Sequence, residues 1–183
     1  MKKRWWLGIA VVLAVAAVAI VASGPKSKPK SMLGVGQPAP EWSLKGLDGQ
    51  AVTLSQFKGN KGVVMVFFAT WCPICMDEVP QLKSFQTRYD KRRIAFVAIN
   101  VEQPAHTVEQ FIKAKGVNYK VLLDEDGSVS AKYGLEVTGL PLILGIDAAG
   151  VVRHMDNALP GDLDAFVASL EPAVAAADTT RSP

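Results

Sequence analysis

Residues that bind metals are scarce in this chain, with two cysteines and two histidines among 183 residues. The spacing of Cys72 and Cys75 fits half of a zinc site. No second cysteine pair completes it, and the only histidines are His106 and His154. That ligand count argues against structural zinc, and neither a metal nor a cofactor is expected. A basic face with interleaved aromatics is also lacking. The net charge is only +3, and the dense basic stretches are confined to residues 1–4 and 26–30. A nucleic-acid partner is therefore excluded. No internal repeat is present. The apolar content of 49% is inflated by one N-terminal segment and does not indicate several membrane spans.

What is present is a cysteine pair three positions apart, directly after an apolar, strand-like run. A disulfide between Cys72 and Cys75 closes so short a loop that it removes little entropy from the unfolded chain. It would be a poor staple, and such a pair is better suited to opening and closing. Cys72 falls where a strand ends and a helix begins, so its sulfur faces unpaired N–H groups and the positive end of the helix dipole. Both favour the thiolate, the attacking species. Cys75, one turn further on, is expected to be less exposed and to resolve the mixed disulfide, with Trp71 shielding the pair.

Four segments follow from composition. Residues 1–23 read as a signal-anchor helix: Trp5 to Ala22 carries no charge, and as a helix it covers roughly 27 Å of hydrocarbon. Trp5 and Trp6 suit the membrane interface. A cleaved signal peptide is the alternative, with small residues at Val21 and Ser23, although the apolar stretch exceeds the usual roughly 7–15 residues. Lys2, Lys3 and Arg4 are opposed by Lys26, Lys28 and Lys30, so orientation rests on the N-terminal position, which favours a domain outside the cytoplasm. A dithiol meets oxidised partners there. Residues 24–34 form a linker rich in Gly, Pro, Ser and Lys, 35–171 the folded domain, and 172–183 a tail expected to be disordered.

Within the domain, strands are expected at 51–54, 63–69, 94–99, 121–123, 142–146 and 151–155, the last two as a hairpin. Helices are expected at 73–89, 107–115, 128–133 and 162–170. Val79, Leu82, Phe85 and Tyr89 share one face of the first helix, which Pro80 should bend, and Gly116 caps the second. His106 is placed in a solvated loop and His154 on a surface strand. Strands alternating with helices and closing on a hairpin describe an α/β fold with a central mixed sheet flanked by helices.

The residues from Val66 to Cys75, Val-Phe-Phe-Ala-Thr-Trp-Cys-Pro-Ile-Cys, resemble the active site of the thioredoxin fold. Gly36-Gln37-Pro38-Ala39-Pro40 through Leu54 is similar to the opening segment of the TlpA/ResA/CcmG branch, shared with the AhpC/TSA peroxiredoxins. Residues 111–119 with Leu123-Asp124 resemble that branch's inserted helix and strand. Val137-Thr138-Gly139-Leu140-Pro141 resembles its cis-proline loop, and Ile146-Asp147 with Gly150 the hairpin that follows. The resemblance spans residues 35–170. It implies a thioredoxin-like fold and a membrane-anchored or secreted thiol–disulfide oxidoreductase. Several members serve cytochrome c maturation by reducing the haem-binding cysteines of the apoprotein. The implied location is the bacterial inner membrane, single-pass, with the catalytic domain on the periplasmic side.

The resemblance also assigns residues. Cys72 and Cys75 are the redox pair, supported by Trp71, Pro73, Ile74, Leu140 and Pro141. Pro141 is the cis-proline facing the disulfide, and its turn leaves the backbone of Leu140 free to pair with an extended substrate. Glu78 matches an acidic position that helps move a proton to or from the buried thiol, provided burial raises its pKa. The plain alternative is a first-turn acid complementing the helix dipole, and Asp77 reads as a surface acid. Val66 stands where thioredoxin has a buried aspartate, which removes that proton route. Leu140 and Gly145 replace more usual residues, so substrate specificity does not carry over.

A cysteine pair of this kind is compatible with four functions. The first is a reductase of protein disulfides, drawing electrons from a transmembrane thiol donor. No charged residue lies between the cysteines to hold Cys72 as a strongly stabilised thiolate, which argues for a reductant. An oxidase or isomerase of secreted proteins would run the same residues in reverse, though no dimerisation segment is evident. A peroxidase needs a proline and threonine cradle before its cysteine, and Phe68-Ala69-Thr70-Trp71 has no proline. A copper-handling protein would use the two thiolates as soft ligands, with only Met76 nearby to help. The expected partners are thiol- or disulfide-containing proteins, the membrane through the N-terminal helix, and the electron donor.

Overall fold

Every residue from Val63 to Phe68 is apolar, so no face of this strand can meet water, and the strand must be covered on both sides. The structure is a computed structural model and describes residues 33–172. The expected anchor at 1–23, the linker up to residue 32 and the tail beyond 172 lie outside the described residues. Among the described residues, no helix is long and apolar enough to cross a membrane.

In chain order the elements are β1 (Ser43–Gly46), β2 (Ala51–Thr53), a 3-10 turn (Leu54–Gln56), β3 (Gly62–Phe68), α1 (Pro73–Tyr89), β4 (Ile94–Val101) and α2 (Ala105–Lys115). These are followed by β5 (Lys120–Asp124), α3 (Ser128–Lys132), α4 (Leu135–Thr138), β6 (Leu142–Ile146), β7 (Val152–Asp156) and α5 (Leu163–Leu170). The sheet runs β2-β1-β5-β4-β3-β6-β7. Strands β3, β4 and β5 are parallel, and the outer pairings are antiparallel. This is the expected mixed sheet with flanking helices, in a thioredoxin-like arrangement.

The pleat sorts β3 between two cores. Val63, Met65 and Phe67 pack with Trp42, Leu54 and Tyr133 on one face. Val64 and Val66 meet Leu82 and Phe85 of α1 and Phe166 of α5 on the other. Burial pushes the Tyr133 hydroxyl up, and that hydroxyl donates to the Pro40 carbonyl at 2.7 Å, which ties the opening segment to the core. Residues 36–39 run antiparallel to the start of β7, with Gly36 N–H donating to Val152 O at 2.8 Å.

Several boundaries differ from the sequence reading. β1 was not expected. The strand at 51–54 stops at Thr53, where buried Leu54 opens the 3-10 turn. α2 begins at Ala105, so His106 lies in its exposed first turn rather than in a loop. The four-residue α4 was also unexpected. Helix α1 has the expected bounds and runs unbroken through Pro80, which sits on the exposed side. Gly116 caps α2 in the left-handed conformation at φ 58°, as its position suggested.

Candidate active site

After Phe68 the chain leaves the centre of the sheet, turns through Ala69, Thr70 and Trp71, and enters α1. Cys72 closes this turn by donating its N–H to Ala69 O at 3.1 Å. Its extended backbone (φ −86°, ψ 109°) makes it the N-cap of α1, and its Sγ accepts the Cys75 N–H at 3.2 Å. Pro73 occupies the first helical position, where an N–H would have no partner in any case. The Cys72 sulfur therefore sits where the helix concentrates positive partial charge, the setting that favours a thiolate.

Cys72 and Cys75 are joined by a disulfide with their Cα atoms 5.3 Å apart. They are 5% and 2% exposed, so both are buried and accessibility barely separates them. Trp71 is itself 69% exposed and lines, beside Cys72 and the 60% exposed Ile74, a groove of about 560 Å³. Leu135, Gly139 and Leu140 also line it, together with the exposed Glu102 and Glu136.

The Leu140–Pro141 peptide is cis, as the loop's resemblance implied. Among the described residues, neither the N–H nor the C=O of Leu140 has a backbone partner. Behind the disulfide is a small cavity of about 10 Å³, lined among others by Cys75, Glu78, Tyr119, Val66 and Pro141. One carboxyl oxygen of Glu78 is buried there without a hydrogen-bond partner. Burial pushes the hydroxyl of Tyr119 up to about 12.

The structure thus gathers all the expected site residues at one end of the sheet. His154 stays outside the groove, with its ring against Phe166 and Nε2 bonded to Ala158 O at 2.9 Å. Sequence reasoning missed Gln103, whose side chain reaches Thr70 in the turn before Cys72, and Asn100, which bonds Gln103 and the Phe68 carbonyl. The available signal was a polar residue, Asn100, at the end of an otherwise apolar strand. Among the described residues, no three His, Cys, Asp or Glu side chains gather as a metal-ligand set.

The chemistry open to such a pair is exchange of one disulfide for another, and on this fold it makes the chain a protein-disulfide oxidoreductase. The model of the AhpC/TSA family matches residues 35–155. The chain is 32% identical over 126 residues to the thiol-disulfide oxidoreductase ResA of Geobacillus thermodenitrificans (strain NG80-2), covering 69% of this chain and 71% of that one. It is 34% identical over 123 residues to ResA of Bacillus subtilis (strain 168), covering 67% of each. The crystal structure of a thiol:disulfide interchange protein of the thioredoxin family from Chlorobium tepidum TLS superposes with a TM-score of 0.63 at 28% identity, over 75% of this chain and 97% of that one. The chain belongs to the AhpC/TSA family, among its ResA/CcmG-like thiol–disulfide oxidoreductases.

Proposed function

We propose that the enzyme reduces protein disulfides outside the cytoplasm, tethered to the bacterial inner membrane by residues 1–23, and that the paired haem-binding cysteines of apocytochrome c are its substrate class. The observation that carries the direction is the uncharged Pro73-Ile74 dipeptide. It leaves the Cys72 sulfur with the helix end and one N–H contact at 3.2 Å as its support. A strongly stabilised thiolate stabilises the reduced protein and makes an oxidant. The absence of a charged residue between the cysteines supports a reductant. Similarity to the TlpA/ResA/CcmG proteins, several of which reduce apocytochrome cysteines, supports the substrate class.

The Cys72 thiolate attacks one sulfur of the substrate disulfide. That bond breaks, and the departing substrate sulfur takes up a proton. Cys75 loses its proton to the Glu78 carboxylate, through the small cavity the two share, whose volume approaches that of a single water. Its sulfur then attacks the Cys72 sulfur and releases the second substrate thiolate, which is protonated in turn. The substrate has gained two electrons and two protons, and the enzyme holds the Cys72–Cys75 disulfide described here. A transmembrane thiol donor restores the dithiol by the reverse exchange. The unpaired backbone of Leu140 supports main-chain pairing with an extended substrate beside the disulfide.

The test is the reduction potential of the full-length protein, equilibrated against glutathione or dithiothreitol. A value near or below that of thioredoxin, about −270 mV, is expected. A value toward about −120 mV would make it an oxidant or isomerase.

A further inference from the structure

In the turn that carries Cys72, Ala69 and Cys72 are buried, whereas Trp71, Pro73 and Ile74 face solvent. Between the two, polar contacts from a neighbouring loop hold Thr70. The Thr70 N–H donates to Gln103 Oε1 at 2.7 Å, and Gln103 Nε2 donates to Thr70 Oγ1 at 2.8 Å. Gln103 thus clamps both the backbone and the side chain of one residue. Asn100 steadies the clamp: its Nδ2 donates to Gln103 Oε1 at 3.0 Å and reaches the Phe68 carbonyl at 3.5 Å.

Two features of this loop run against stability. Asn100 is fully buried, and its Oδ1 has no partner, an arrangement that is destabilising on its own. Glu102, immediately before Gln103, has φ 54° and is the one non-glycine residue in the left-handed region among those described. Strain of this kind persists where surrounding structure enforces it and clusters at functional sites.

We propose that Gln103, steadied by Asn100, is a positioning residue for the reaction: it fixes the turn at Thr70 so that the Cys72 sulfur stays at the N-terminus of α1. This rests on the reading of Cys72 as the attacking thiolate. Once the clamp is lost, Cys72 leaves its N-cap position for part of the time. The sulfur then forgoes the Cys75 N–H and the helix end, the thiolate becomes less favourable, and attack at neutral pH slows.

The test uses the full chain with Cys75→Ser, which leaves Cys72 as the only thiol. Iodoacetamide alkylation is followed against pH with Gln103 intact and with Gln103→Leu, and the disulfide-competent chains are compared in insulin reduction. Glu102 and Glu136 lining the groove and Glu78 below residue 75 are common to both chains, so a difference in profile reports the turn. Gln103→Leu is expected to move the profile to higher pH and to slow alkylation and insulin reduction at neutral pH by about threefold to tenfold, the worth of a hydrogen bond or two. An unchanged alkylation profile overturns the proposal, even if insulin reduction falls, because the clamp would then serve only the fold. Should Gln103→Leu fail to fold, Thr70→Ala removes one contact of the clamp and is expected to give a smaller shift in the same direction; no shift overturns the proposal. Alkylation needs no substrate, so a chain with the expected shift but no insulin reduction would count against the proposed function and leave this inference standing.

Discussion

Trp71 offers a direct measure of how substrate is held. With Val35 and Ile74, it is one of three large apolar side chains exposed among the described residues, at 69%. A fully covered aromatic ring buries about 150–250 Å², so roughly 100–170 Å² remains open to a partner. If a docked polypeptide covers half of that, the gain at 25 cal/mol per Å² is about 1.2–2 kcal/mol. Trp71→Ala should therefore lower kcat/KM for a disulfide-bonded peptide by about tenfold to thirtyfold. Folding stability should change by less than about 0.5 kcal/mol, because the ring supports no core. Oxidised glutathione, too small to cover the ring, serves as the contrasting substrate, and its rate should hardly move. The assay pairs peptide and glutathione kinetics with a urea unfolding curve. Equal losses on both substrates, or a peptide loss matched by a lower unfolding midpoint, would refute the assignment of Trp71 to substrate docking.

Glu78→Gln keeps the shape of the side chain at the cavity but removes the proton acceptor. Resolution of the mixed disulfide by Cys75, followed by stopped-flow, should slow by about tenfold or more at neutral pH, with the gap closing as alkali deprotonates Cys75 unaided. Equal rates for the two proteins would leave Glu78 as a first-turn acid. Asp147, in the β6–β7 turn, tests the electrostatics of the fold. Burial raises its pKa, but the Val151 and Ala149 N–H groups and the Arg153 guanidinium outweigh that and hold it below the usual 3.8. A folded value below the unfolded one gives stability that is present above the unfolded pKa and lost as pH falls through the folded value. Asp147→Asn should cost roughly 1–2 kcal/mol at neutral pH, and the Tm difference from the parent should shrink below about pH 4. A difference that stays constant into acid would exclude the carboxylate as its source.

The parts of this molecule legible in the sequence are those whose signal lies within a few residues. The uninterrupted apolar run of β3 required cover on both faces, and the spacing of Val79, Leu82, Phe85 and Tyr89 drew the buried stripe of α1. The Cys72–Cys75 pair announced itself because its members are neighbours in the chain. β1 escaped because its alternation is carried by only four residues, with Ser43 and Lys45 outward and Leu44 and Gly46 inward. Gln103 escaped for a different reason: its partner Thr70 lies 33 positions away, and only the parallel pairing of β3 with β4 brings the two loops together.

Gly145 shows how far such a limit reaches. As a glycine in a central strand it reads as a departure without a cause, since glycine weakens strands. A Cβ at this position would lie 2.5 Å from the Phe166 ring of α5. The missing side chain is the space that ring occupies, with Val64 paired alongside Gly145 on β3. The lost strand propensity is offset by aromatic packing between α5 and the sheet, the same core face that receives Leu82 and Phe85 of α1. The cause of Gly145 thus lies 21 residues downstream in a helix whose own pattern gave no hint of which strand it would cover.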